Sequence, residues 1–186
     1  KGVVFNEMKG AYASPDNLVG RYGEQVLFPD TIYSNDSGGD PEVIPDLTYE
    51  QFRSFHRLYY HPSNARLFFY GDDDPEQRLL LLDAYLSDFD ALPIDSAISL
   101  QPRLTEPRYV VYPYPAGEDQ VSKAMVTVNW MLPENNDPTS TLALNILSHV
   151  LVGTPAAPLR KALIDSGLGE DVIGGGLDDS LRQLAF

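Results

Sequence analysis

The chain has 186 residues, 43% of them hydrophobic and 22% charged, the balance of one ordinary globular domain or parts of two. Its 27 acids against 13 bases give a formal net charge of -14, which disfavours nucleic acid and anionic lipid and favours basic partners such as a positively charged peptide, or serves solubility alone. There is no cysteine, which excludes disulfides, thiolate metal sites and a cysteine nucleophile, and no apolar run approaches the ~20 residues of a membrane span.

Val3, Val4, Met8, Ala11 and Tyr12 recur at helical spacing, so residues 1–13 read as a helix. Ser14-Pro15-Asp16-Asn17 breaks it, and Leu18 to Leu27 forms a second. Residues 29–45, rich in Gly, Pro, Asp and Ser, read as a long loop. Thr48 and Gln51 form a capping box for a helix that carries Phe52, Phe55, Leu58 and Tyr59 and ends at His61-Pro62. Ala65 to Tyr70 is an expected strand, and the turn Gly71 to Pro75 leads into a helix through Leu92. Residues 93–107, with three prolines and no period, are the expected linker. Beyond it, Tyr109 to Tyr112 and Val121 to Leu132 read as strands. Asp137 opens a helix through Leu151, and Pro155 to Ser166 makes another, closed by Gly167. Val172-Ile173 and Leu181 to Phe186 are further strand pieces around Gly174 to Gly176. The layout is α+β with two incomplete units, and both ends read as cut, as in a piece of a longer polypeptide.

Few residues offer chemistry. His56, His61 and His149 have no histidine partner at helical spacing, and neither H-E-x-x-H nor H-x-x-E-H occurs. Structural roles are expected for all three. The triglycine lacks the spacing and lysine of a phosphate loop, and Asp72-Asp73-Asp74 lacks the ligand spacing of a calcium loop and fits a helix-capping turn. No serine sits in G-x-S-x-G. Glu7 stands out as an acid beside an apolar stripe, one turn before Gly10 and Ala11. A carboxylate there is costly unless paired or bound to a cation. The pattern leaves it open between a boundary residue and a metal ligand.

Longer motifs narrow the choice. Gly2-Val3-Val4-Phe5-Asn6-Glu7-Met8-Lys9-Gly10 resembles a signature of presequence proteases, in the pitrilysin superfamily of inverted-zincin metallopeptidases. Ser37-Gly38-Gly39-Asp40-Pro41, Tyr59 to Ala65, Tyr70-Gly71-Asp72 and Val128-Asn129-Trp130 resemble it in the same order. So do Gly153-Thr154-Pro155, Pro158 to Leu163 and Ser166 to Gly169.

The resemblance implies a pitrilysin-like α+β fold. Residues 1–92 would end the catalytic domain, 93–107 link, and 108–186 begin a non-catalytic repeat. It implies zinc held by two histidines of H-x-x-E-H and a distal glutamate, which falls on Glu7. The H-x-x-E-H segment would lie upstream of Lys1, so no catalytic residue is expected here and the chain alone is expected to be inactive. By the same resemblance, the helix Asn145 to Val152 would occupy the metal helix's place in the inactive repeat, with His149 as a decoy. The implied function is degradation of unstructured, basic peptides such as cleaved targeting presequences. The implied location is mitochondrial matrix, plastid stroma or bacterial cytoplasm. The alternative is a non-catalytic pitrilysin-like homologue with a structural or peptide-binding role.

Overall fold

The computed structural model describes residues 2–115 and 124–186. It is an α+β arrangement of six helices and one two-stranded antiparallel sheet among the described residues, divided into two compact units. One unit joins Lys1–Pro41 to Ile98–Phe186, and the other is Glu42–Ala97.

In the first unit, α1 (Val3–Tyr12) and α2 (Pro15–Leu27) follow one another with only two residues between. The helix α2 starts at Pro15, three residues earlier than the apolar pattern suggests. Ser14 is extended and Pro15 takes the first helical position, where its missing N–H costs nothing. Leu18 and Leu27 are buried on α2, whereas no residue of α1 is buried. The chain then places Phe28, 1% exposed, in a small core with Leu27 and Ala185, against which Tyr33, Met131 and Leu181 pack. Removing each such side chain from water stabilises the unit by about 1.5–3 kcal/mol.

The sheet pairs β1 (Met131–Glu134) with β2 (Gln183–Ala185), Met131 opposite Ala185 and Glu134 opposite Gln183, with an irregularity between. Trp130 and Phe186 exchange backbone hydrogen bonds at 2.8 and 3.0 Å and extend the pairing by one rung. Asp178 bridges the other side of Ala185, so the chain doubles back after Gly174 to Gly176. Between the strands, α5 (Pro138–Val152) is capped by Asp137, whose carboxylate accepts from Thr139 N and Ser140 N. Then α6 (Pro158–Asp165) begins at the second proline, because Ala157, preceding it, is held extended.

A buried polar tie runs through this unit. Gln101, 4% exposed, accepts from Asp30 N (2.9 Å) and donates to the Asp30 carboxylate (2.7 Å). Its backbone N–H donates to Gln183 Oε1 (3.0 Å), and Gln183 Nε2 donates back to its carbonyl (3.3 Å).

The second unit is built on α3 (Tyr49–Tyr59) and α4 (Pro75–Leu86) and has no buried residue. Its elements are set by local chemistry. Thr48 Oγ1 accepts from Gln51 N (3.2 Å) while Gln51 Oε1 accepts from Thr48 N (2.8 Å), completing the expected capping box. Asp74 caps α4 by accepting from Glu76 N at 2.9 Å, as the acidic turn implied. The helix stops at Leu86 rather than Leu92, where Ser87 and the acids Asp88 and Asp90 suit a helix C-terminus poorly.

Three expected strands take no part in a sheet, and the expected strand Val121 to Leu132 enters it only at Met131 and Leu132, with Trp130 adding one backbone rung. Ala65 to Tyr70, Tyr109 to Tyr112, Val172-Ile173 and residues 124–129 run as irregular backbone, and 121–123 lie outside the described residues. A strand needs a neighbour to satisfy its peptide groups, and among the described residues no backbone pairs with these segments. Phe68 is accordingly 88% exposed and Tyr109 91%.

Candidate functional site

Glu7 sits at the middle of α1, a helix that Gly2 opens without a side-chain cap and that carries Lys9 in its last turn. Its side chain is exposed and has no hydrogen bond or ion pair among the described residues. The apolar neighbours expected to shelter it are open as well, Val3 73% and Val4 57% exposed. A free carboxylate on an open helix face can donate to a cation without first breaking an ion pair.

What fixes α1 lies on its other surfaces. The Arg21 guanidinium of α2 stacks over the Tyr12 ring of α1 at 3.9 Å. Its Nη2 donates to Asp40 Oδ2 at 3.3 Å, and its Nε lies 3.8 Å from Asp36 Oδ2. Asp36 and Asp40 flank the Ser37-Gly38-Gly39 turn. Asp36 Oδ1 accepts from Gly38 N at 2.9 Å, and Gly39 takes φ 89, which a side chain disfavours. Gly38 lies so close to α1 that an added Cβ would overlap Met8 Sδ and come 2.9 Å from Met8 Cε. Burial pushes the Tyr12 phenol up to about 12, against the pull of the Arg21 guanidinium. Burial, then repulsion from Asp178 and Asp36, raises the Glu24 carboxyl above its ordinary value. A polar cleft of about 240 Å³ lies here, bordered by Arg21, Glu24, Gln25 and Tyr33.

The histidines have local roles. His61 Nδ1 accepts from Ser63 N at 3.2 Å, capping a short 3-10 turn, and the ring meets Phe89 edge-on at 5.5 Å. The same turn is tied by Asn64 Nδ2 to Tyr59 O (2.9 Å) and by Leu92 N to Ser63 Oγ (3.0 Å). The Tyr-His-Pro-Ser-Asn motif is thus a polar knot inside one unit. His56 stacks on Tyr60 at 4.7 Å. His149 lies in the last turn of α5 against Gly153. In the acidic turn, Asp73 is held below the usual carboxylate range by its hydrogen bonds with Arg78, whose guanidinium lies over Phe69 at 4.8 Å.

Among the described residues no three His, Cys, Asp or Glu side chains converge as a metal would require. Glu7 fits as one carboxylate of a zinc set, and among the described residues no second donor converges on it. Motifs led to Glu7 by resemblance. They did not lead to Arg21, because ion pairs to residues 15 and 19 positions away leave no periodic trace in sequence.

The fold and this arrangement define a class. Residues 46–185 match the family described as "Peptidase M16 inactive domain", and the chain belongs to that family. It is 53% identical over 191 residues to "Presequence protease 1, chloroplastic/mitochondrial" of Arabidopsis thaliana, covering 100% of this chain and 18% of that protein. It is 43% identical over 188 residues to "Protein HypA" of Clostridium perfringens, covering 100% and 19%. To "Presequence protease, mitochondrial" of Mus musculus it is 41% identical over 175 residues, covering 92% and 17%. The chain therefore spans less than a fifth of the length of these curated relatives.

Proposed function

We propose that the chain is part of a zinc metalloendopeptidase that degrades unstructured peptides, cleaved targeting presequences among them. Glu7 supplies one carboxylate ligand to the metal. The observation that carries this is the exposed Glu7 carboxylate on α1, without an ion pair among the described residues and inside a nine-residue motif that resembles a presequence-protease signature. The names of the similar presequence proteases support the substrate class. Residues 1–92 are read as the end of the catalytic domain, 93–107 as a linker and 108–186 as the start of a non-catalytic repeat.

The chain's own contribution is limited and definite. Glu7 offers a negative charge and oxygen donors, and α1 holds them on a rigid element. Bound zinc would supply a water made nucleophilic near neutral pH. Proton transfer from that water needs a general base that the described residues do not bring to Glu7, so the chain alone is expected to cleave nothing. The net charge of -14 favours basic peptides.

The test is the full-length parent with Glu7→Gln, measured for bound zinc and for cleavage of a basic presequence-like peptide. The proposal expects both to fall sharply. Normal zinc and normal cleavage in Glu7→Gln would reject the role of Glu7. A second reading draws on the family's description as an inactive domain: a non-catalytic homologue that binds peptides or serves structure. A wild-type parent that holds no zinc and cleaves nothing would favour it.

A further inference from the structure

The Ser-Gly-Gly-Asp-Pro loop and the helix that carries Glu7 are far apart in sequence yet are joined through one side chain. Arg21 reaches both, stacking on Tyr12 of α1 at 3.9 Å and pairing with Asp36 and Asp40 on either side of the turn. Its side chain is only 20% exposed, and those of Asp36 and Asp40 are 22% and 34%. The contact is closed from the other end by Gly38, which abuts Met8, the residue next to Glu7.

Three features make this a clamp rather than a surface ion pair. A single guanidinium serves two carboxylates and one ring, so each contact orders it for the others and spreads the entropic cost of fixing a long side chain. Asp36 also accepts from Gly38 N, so the anion that holds Arg21 also shapes the turn that meets Met8. And α1 has no buried residue and no side-chain cap, so within this chain little else anchors it. A helix without a core must be oriented by its specific contacts.

We propose that Arg21 is a positioning residue for Glu7: with Asp36 and Asp40 it fixes the orientation of α1 and so the place of the carboxylate offered to the metal. The inference rests on Glu7 being a metal ligand. Ligand-supporting residues outside a metal's own coordination sphere govern metal affinity by about 10–100-fold, and Arg21 is expected to fall in that range.

The experiment uses the full-length parent in five forms: wild type, Arg21→Met, the double variant Asp36→Asn/Asp40→Asn, those three changes combined, and Glu7→Gln. Zinc affinity is measured by competition with a chelator, and amide hydrogen exchange is followed across residues 3–12 in the metal-free protein. Arg21→Met is expected to weaken zinc about 10–100-fold and to speed exchange in α1. The double variant, which keeps side-chain shape, is expected to do the same, and combining it with Arg21→Met to add little. Should Arg21→Met fail to fold, the double variant gives the reading. Unchanged zinc affinity in both, with metal lost from Glu7→Gln, overturns the clamp and leaves the ligand intact. If Glu7→Gln keeps its metal, the ligand reading falls and Arg21 loses the role proposed for it.

Discussion

The two units of the chain are stabilised differently. The unit of Lys1–Pro41 and Ile98–Phe186 contains every buried residue found, from Phe28 and Leu184 to the polar pair Gln101 and Gln183. The unit of Glu42–Ala97 contains none, yet its helices are the better capped, with a complete capping box at Thr48 and a carboxylate cap at Asp74. Elements are specified by local chemistry, whereas a core is made by residues distant in sequence. One unit has both, and the other has elements whose apolar faces stay open, as at Phe52, 66% exposed, and Leu80, 70% exposed.

The largest test of that contrast is truncation in the core. Phe28→Ala is expected to cost about 3–5 kcal/mol in denaturant unfolding, while Phe52→Ala costs about 0.5 kcal/mol. Equal costs would break the comparison, since they would mean that α3 is as well packed as Phe28. Next comes the polar tie. Gln101→Ala removes the partner of the Asp30 N–H and of the Asp30 carboxylate, leaves the Gln183 bonds to the backbone of residue 101 in place, and is expected to cost about 0.5–1.5 kcal/mol for each bond lost. A loss near zero would mean that water replaces Gln101. In the second unit, Thr48→Ala should cost about 1 kcal/mol, read as loss of helicity in residues 49–59.

The smallest effect is in pH dependence. The folded pKa of Glu24 lies above its unfolded value, so the folded state binds more protons through the window between the two. Stability from this residue is therefore present below the ordinary glutamate value and falls as pH rises through the folded one. Glu24→Gln is expected to flatten that decline and to raise stability at neutral pH. Asp137, held low by its bonds to Ser140 and Thr139, acts in the opposite sense: its contribution is lost as pH falls through its folded pKa. An Asp137→Asn variant whose stability kept the wild-type dependence at acid pH would remove that assignment.

Local signals in the sequence were read well, and partner-dependent ones were not. The Thr48-Gln51 box and the Asp137 and Asp74 caps, with the prolines that follow those two acids, are encoded within four residues and are legible directly, whereas the helix starts at Pro15 and Pro158 are not. Ala65 to Tyr70 carries a strand's composition, but strandedness depends on a neighbour that this composition cannot name. The same limit applies to the site. Glu7 is legible as a candidate because its motif is contiguous. Arg21 is not, because its partners Tyr12, Asp36 and Asp40 are joined only by folding. The glutamine pair was missed for the same reason, 82 positions apart and polar where a core is expected to be apolar.

That pair has a consequence of its own. The side-chain amide of Gln183 both donates and accepts against the backbone of residue 101, as a peptide group does across a ladder. One side chain thus imitates a strand rung and holds Gln101 in place without a third strand. Only an amide has both functions in that geometry. A glutamate of the same shape would present two acceptors, leave the carbonyl of Gln101 facing a negative charge, and make the join titratable where it is now indifferent to pH.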